Sequence, residues 1–263
     1  MEIVVCIKQV PDTTEVKIDP VTNTLIRQGV PSIVNPFDKN ALEAALQLKD
    51  KYGAKVTVIS MGPPQAKAAL KDCLSMGADT AILVSDRAFG GADTLATSNV
   101  LAASIKKIGK VDVIFCGKQA IDGDTAQVGP ETAEHLGIAQ VTYVANMDIK
   151  DDLVTVEREC EDGYEVIEVK LPVLVSVIKS AAFEPRFPTV KGKMKANRTE
   201  IAVWSAADVN ADEKKIGLVG SPTKVSKIFT PPRRVQGIII EEPTVKESIA
   251  ALLDKLAEAK IIL

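Results

Sequence analysis

Short apolar runs rich in β-branched residues alternate, through the first half of the chain, with segments whose apolar positions recur every three to four residues. Residues 2–10, 55–60, 80–84 and 111–116 read as strands, and their unbroken apolar character is that of parallel strands covered on both faces. Helices are predicted between them. The first opens at Asn35, Pro36 and the acidic Asp38 and places Leu42, Ala45, Leu46 and Lys49 on one face; the second spans 65–76 and stops at Gly77; the third follows Asp93, with Leu101, Ile105 and Ile108 in one stripe before Gly109. Residues 16–26 read as a small hairpin turning at 19–23.

After Val141 the period changes to two. LVTVERE (153–159) and GYEVIEVKL (163–171), joined by the turn-prone 160–163, form a β-hairpin extension, and PVLVSVIK (172–179) follows. From Ser180 the chain is polar and punctuated by proline, in FEPRFP and IFTPPRR, until an amphipathic helix at about 244–259. With so little periodicity, 181–242 is expected to bury little of itself and to lie on another subunit. The expectation is therefore an α/β fold: a doubly wound parallel sheet, Rossmann-like and of the adenine-nucleotide-binding type, with right-handed crossovers. Residues 1–180 form this domain with its hairpin extension, and 181–263 form a C-terminal arm and helix.

Four polar loops fall at the carboxyl edge of such a sheet, where these folds bind nucleotides: 8–10, 60–63, 85–93 and 117–127. The last belongs to VDVIFCGKQAIDGDTAQVGPETAEHLG (111–137), in which Gly117 lets backbone approach a ligand. Asp124 with Gln127 three residues on is a capping-box pattern, so the amides of Thr125, Ala126 and Gln127 would point back over the strand end and attract phosphate. Asp122 and Asp124 do not suit a side-chain phosphate clamp, since like charges about 4 Å apart repel by roughly 1 kcal/mol in water and about 4 at intermediate dielectric. They are assigned to capping or ribose contacts. Pro130 either kinks a helix begun at Thr125 or occupies the first position of one capped by Gly129. Taken alone, the stretch is equally an ordinary strand-to-helix turn.

Composition narrows the chemistry. The 263 residues can bury a full core, and a net charge of −3 gives no electrostatic case for nucleic acid. Met1 leads straight into the strand-like EIVVCIKQV, and no apolar run reaches the length of a membrane span, so a cytoplasmic protein is expected. Cys6, Cys73, Cys116 and Cys160 form no CxxC pair and read as reduced thiols without a metal. His135 is the single histidine, which disfavours a Ser/His/Asp triad; it falls late in a helix, near the dipole or exposed. No GxGxxG follows a strand, and the P-loop pattern is absent because Gly192 and Lys193 precede Met194. The basic cluster Lys191, Lys193, Lys195 and Arg198 reads as a solvated face or as a dock for an acidic partner.

VERECEDGYEVIEVKLPVLVS (156–176) resembles the signature of the electron transfer flavoprotein β subunit. VCIKQVPDT, VNPFDKNALEAAL, GKQAIDGDTAQVGP and EPRFPTVKGKMKA are similar to the same family, so the resemblance covers nearly the whole chain. It implies a partner α subunit carrying its own FAD, and a nucleotide site in this chain holding either AMP, as a structural ligand, or a second FAD. SDRAFGGADTLATS (85–98) resembles the version in the electron-bifurcating group, in which NADH reduces the FAD held here. One electron then goes to the α-subunit FAD and a flavin-dependent dehydrogenase of acyl-CoA or 2-hydroxy-acid type, the other to ferredoxin or flavodoxin. The chain would be an electron-carrier subunit with no complete activity alone. The implied cofactor contacts are Cys6, Lys8, Asn35 and Phe37; Met61 and Gly62; Asp86, Arg87, Phe89, Gly90, Gly91, Asp93, Thr94 and Thr97; and Gly117, Gln119, Gly123, Asp124, Thr125, Ala126, Gln127 and Val128. Gly90 and Gly91 would leave room for a ring system, Arg87 would stabilise the reduced, anionic flavin, and Asp93 would cap the following helix. A stand-alone ATP-using enzyme on the same sheet fits the long unsupported arm less well.

Overall fold

The apolar runs become the strands of one sheet in a computed structural model that describes residues 1–12, 31–226 and 237–262. The hairpin expected at 16–26 lies outside the described residues. By its contacts the chain divides into two units, Met1–Lys227 and Ile228–Leu263.

The first unit contains β1 (Glu2–Cys6), β2 (Gln9–Pro11), β3 (Ser32–Val34), α1 (Pro36–Tyr52), β4 (Lys55–Met61), α2 (Lys67–Met76), β5 (Thr80–Val84), α3 (Thr94–Ile108), β6 (Val113–Gly117) and α4 (Val128–Leu136). There follow β7 (Ala139–Lys150), β8 (Leu153–Cys160), β9 (Gly163–Lys170), β10 (Val173–Val177), α5 (Val190–Arg198) and β11 (Ala202–Trp204). Nine strands pair in the order β11-β5-β4-β1-β6-β10-β7-β8-β9. Pairing is parallel from β11 through β7 and antiparallel across β7, β8 and β9. The expected doubly wound α/β sheet with a hairpin extension is the observed one.

Alternation along each strand divides the core between two faces. Val5, Val58, Leu83, Phe115 and Val175 pack on one side with Leu42, Leu46 and Leu70 of α1 and α2. Val4, Ile59, Ile82, Ile114 and Leu174 pack on the other with Val100 and Ile105 of α3 and Ala133 of α4. Most of these side chains are fully buried, and each contributes on the order of 1.5–3 kcal/mol by leaving water.

Two expectations change. The single strand at 2–10 breaks after Cys6, because the Lys8 N–H turns to Asp38 Oδ2 (2.7 Å) and Gln9–Pro11 pairs antiparallel with Ser32–Val34. The larger change is at 181–226, which is not bare of its own packing but sits on this chain's own first unit. Lys71 Nζ donates to the carbonyls of Ala196 (2.6 Å), Asn197 (3.0 Å) and Thr199 (2.7 Å), gathering the C-terminal end of α5 onto α2. Strand β11 extends the sheet beside β5, and Phe183, Ala196, Ile201, Val209 and Ile216 are buried. Arg186 forks onto the buried Glu43 of α1 with two bonds of 2.8 Å. The domain boundary expected at 180 thus falls inside the first unit.

In the second unit, α6 (Val245–Glu258) begins at Thr244 in a full capping box with Glu247 and carries Ile249, Leu252 and Leu253 exposed along one stripe.

Candidate functional site

Strand β1 lies between β4 and β6. From it the chain winds one way through β4 and β5, and the other way through β6. The order reverses between β1 and β6, so their carboxyl ends flank the crevice in which open α/β sheets take ligands.

Asp38, in the first turn of α1, holds that crevice together. Its Oδ2 accepts from the Lys8 N–H after β1 (2.7 Å), and its Oδ1 from the Gly117 N–H ending β6 (3.1 Å) and from Asn35 Nδ2 (2.9 Å). Asn35, fully buried, also donates to the Gln119 carbonyl (2.8 Å) and accepts from the Ile121 N–H (3.1 Å). Gly117 is required here, because a Cβ would stand 2.6 Å from the Phe37 carbonyl carbon and 2.7 Å from the Asp38 nitrogen. Burial pushes Asp38 up to about 7, although the bonds from Asn35, Lys8 and Gly117 all favour its ionised form. Beside it, burial first and the Asp38 charge second push the Cys6 thiol up to about 12, so Cys6 borders the site as an unreactive side chain.

The fourth loop differs from its capping-box expectation. Asp124 has φ 52° and accepts from Gln119 Nε2 (2.7 Å), so it caps no helix; Asp122 is paired with Lys8 Nζ (2.7 Å). Helix α4 starts at Val128 with Gln127 as an N-cap whose side chain makes no capping bond. Pro130 fits neither alternative, being the third residue of α4, where its missing N–H forfeits no intrahelical bond. Left-handed Ala126 (φ 55°) is followed directly by right-handed Gln127, the backbone pattern of an anion-binding concavity, and the first-turn amides of Val128 and Gly129 have no intrahelical carbonyl to meet.

On the third loop, Asp86 and Asp93 are occupied by protein. Asp86 accepts from the N–H groups of Ala88 and Ala206, both at 3.0 Å, and the first of these contributes most to holding its carboxyl below the usual range. Asp93 caps α3 through Ala96 N–H (3.0 Å), as expected. Burial acts to raise its pKa, but the bonds from Ala96 and Thr223 outweigh it and hold the carboxyl low. Phe89, expected at the cofactor, is buried in the core with Ile82 and Val100 and can offer only backbone. Of the two glycines, Gly90 is exposed with only the Arg87 carbonyl near, whereas Leu218 takes the space beside Gly91. Arg87 is exposed and has no ion-pair partner among the described residues.

The remaining residues lie on the same edge. Thr94 Oγ1 sits 3.1 Å from Glu131 Oε1 and 3.3 Å from Gln127 Oε1, linking the starts of α3 and α4. The Gly62 N–H donates to the Val84 carbonyl (3.0 Å), and the Gly123 N–H to that of Ala120 (3.2 Å). Met61 and Thr97 are half-buried, and Thr125 is exposed. The sequence reading missed Asp38 as the crevice's shared acceptor, and it missed Glu131, Ser221 and Thr223. His135 is half-buried with Nε2 unpartnered among the described residues. No group of three metal-type ligands occurs among them, and no helix there is long and apolar enough to cross a membrane.

The sequence has known relatives. The electron transfer flavoprotein domain model matches residues 22–209. The electron transfer flavoprotein subunit beta of Clostridium acetobutylicum is 59% identical over 262 residues, covering all of both chains. Subunit CarD of the caffeyl-CoA reductase-Etf complex of Acetobacterium woodii is 54% identical over 263 residues, again across both chains. The acryloyl-CoA reductase electron transfer subunit gamma of Anaerotignum propionicum is 46% identical over 269 aligned positions, with both chains fully covered. A match to the family's domain model over 22–209 and relatives of this identity along the whole sequence place the chain in the electron transfer flavoprotein family, among its β subunits.

Proposed function

We propose that this chain is the β subunit of an electron-bifurcating electron transfer flavoprotein and that FAD binds along its switch-point crevice. Arg87 carries this reading: a charged, exposed side chain without an ion-pair partner among the described residues, on the loop at the carboxyl end of β5. The amides around 126–129 fit a diphosphate, and Gly90 leaves one open backbone face. The printed names of CarD and the gamma subunit, both tied to CoA-ester reductases, support a role in a redox complex of that kind. Bound here, FAD would accept a hydride from NADH and release its two electrons by separate routes, one to an α-subunit FAD and a flavin-dependent dehydrogenase of acyl-CoA or 2-hydroxy-acid type, the other to ferredoxin or flavodoxin. The chain's own part is positional and electrostatic: the amides hold the diphosphate, Lys8 neutralises Asp122, and Arg87 favours negative charge near the flavin ring.

A second reading, AMP as a structural ligand, is favoured by Leu218, which fills the space beside Gly91 that a ring would need. Counting flavins on the complex with its α subunit separates the two, since two FADs support the first and one FAD plus AMP removes it. With two FADs, Arg87→Ala should lower the two-electron potential of the β-site flavin by some tens of millivolts, the size of one charge-assisted bond, and leave the other flavin unmoved. An unchanged potential would take Arg87 out of the mechanism.

A further inference from the structure

We propose that residues 217–223 form a latch on the 87–93 turn, with Ser221 and Thr223 as positioning residues that fix the turn's shape for the nucleotide; the proposal rests on the reading of the site just given. Three kinds of contact carry it. The backbones touch: the Leu218 N–H donates to the Gly90 carbonyl (3.0 Å), and Gly217, at φ 55°, admits no side chain because the Ala88 carbonyl oxygen occupies the place a Cβ would take. Leu218 stands beside Gly91, itself at φ 74°, so that a Cβ there would lie 3.3 Å from the Leu218 Cβ. Side chains then close the loop. Ser221 Oγ accepts from the Asp93 N–H (2.8 Å) and donates to the Gly217 carbonyl (2.7 Å), while Thr223 donates to Asp93 Oδ2 through both its N–H (3.0 Å) and its Oγ1 (2.9 Å).

Asp93 therefore does two jobs with two oxygens. Oδ1 caps α3 and Oδ2 takes the latch. Between its ends the turn is anchored inward by buried Phe89, while Arg87, Ala88, Gly90 and Gly91 stand exposed. Such a turn depends on bonds from outside itself for a single shape. Those bonds come from the segment that runs, a few residues beyond Thr223, into the second unit.

The test uses the full chain purified with its partner subunit, FAD as titrant, and the variants Thr223→Val, Thr223→Ser and Ser221→Ala. Amide exchange across 86–93 reports the latch whether or not a nucleotide binds. Thr223→Val and Ser221→Ala should both quicken exchange there and weaken FAD binding, the first about tenfold through loss of a bond to a charged acceptor, the second by roughly threefold through loss of bonds between neutral groups. Thr223→Ser, which keeps the hydroxyl, should restore both within twofold. Unchanged exchange in the first two variants overturns the latch. So does faster exchange with unmoved FAD affinity, or a serine variant that restores neither. If the wild-type complex takes up no second FAD, the site reading falls by itself, and the exchange measurement still decides the latch.

Discussion

Asp38 shows how one residue organises a crevice. Its two oxygens accept three N–H groups from three separate segments, the turn after β1, the start of α1 and the end of β6. An acid whose pKa rises on folding holds its proton more tightly in the folded state. Its contribution to stability is full below about pH 4, is lost as pH rises toward 7, and amounts to at most about 4 kcal/mol. Asp38→Asn should be less stable at every pH, because its amide must set a donor against a donor. The wild type's loss of stability between about pH 4 and 7, measured by urea unfolding, should be shallower or absent in the variant. None of this was legible beforehand. NPFD announces a helix start, and nothing in its spacing says that the aspartate turns inward. Asp124 was misread for a similar reason: its spacing to Gln127 is that of a capping box, but its positive φ belongs to a turn that only the tertiary fold selects.

At the scale of elements, periodic segments were read nearly to their ends and aperiodic ones were not. Thr80–Val84 is both the expected and the observed strand, and α3 starts at the expected Asp93 cap. Residues 181–226 have no repeating pattern because they are held by single anchors: Phe183 in the core, Arg186 on Glu43, Lys71 at the end of α5, and Ile201 before β11. Hydrophobic periodicity cannot register such anchors, one residue at a time. Arg186→Ala strands the buried Glu43 carboxylate and should cost about 2–3 kcal/mol, less than for a fully buried pair because the guanidinium is part-exposed. Arg186→Lys keeps the charge but loses the fork and should fall between. Thermal melts of the two variants check the order.

For the whole molecule, the sheet edge shared by the four polar loops was legible because strand order alone determines which loops share an edge; which side chains remain free on that edge was not. The first unit has its own complete core. A chain ending at Lys227 should therefore unfold in one transition with the full-length midpoint, followed by circular dichroism, and residues 181–226 should resist protease as well as the sheet does. A lowered midpoint, or early cleavage within 181–226, would show that this segment needs support from elsewhere.

The place of β10 has a consequence for how the protein is made. This strand closes the outer edge of β6, yet it is synthesised only after β7 and the whole β8–β9 hairpin. Until Val177 has left the ribosome, β6 keeps an open edge and the crevice floor lacks its flank. On the function proposed above, a nucleotide bound in this crevice would therefore stabilise only the late stages of folding.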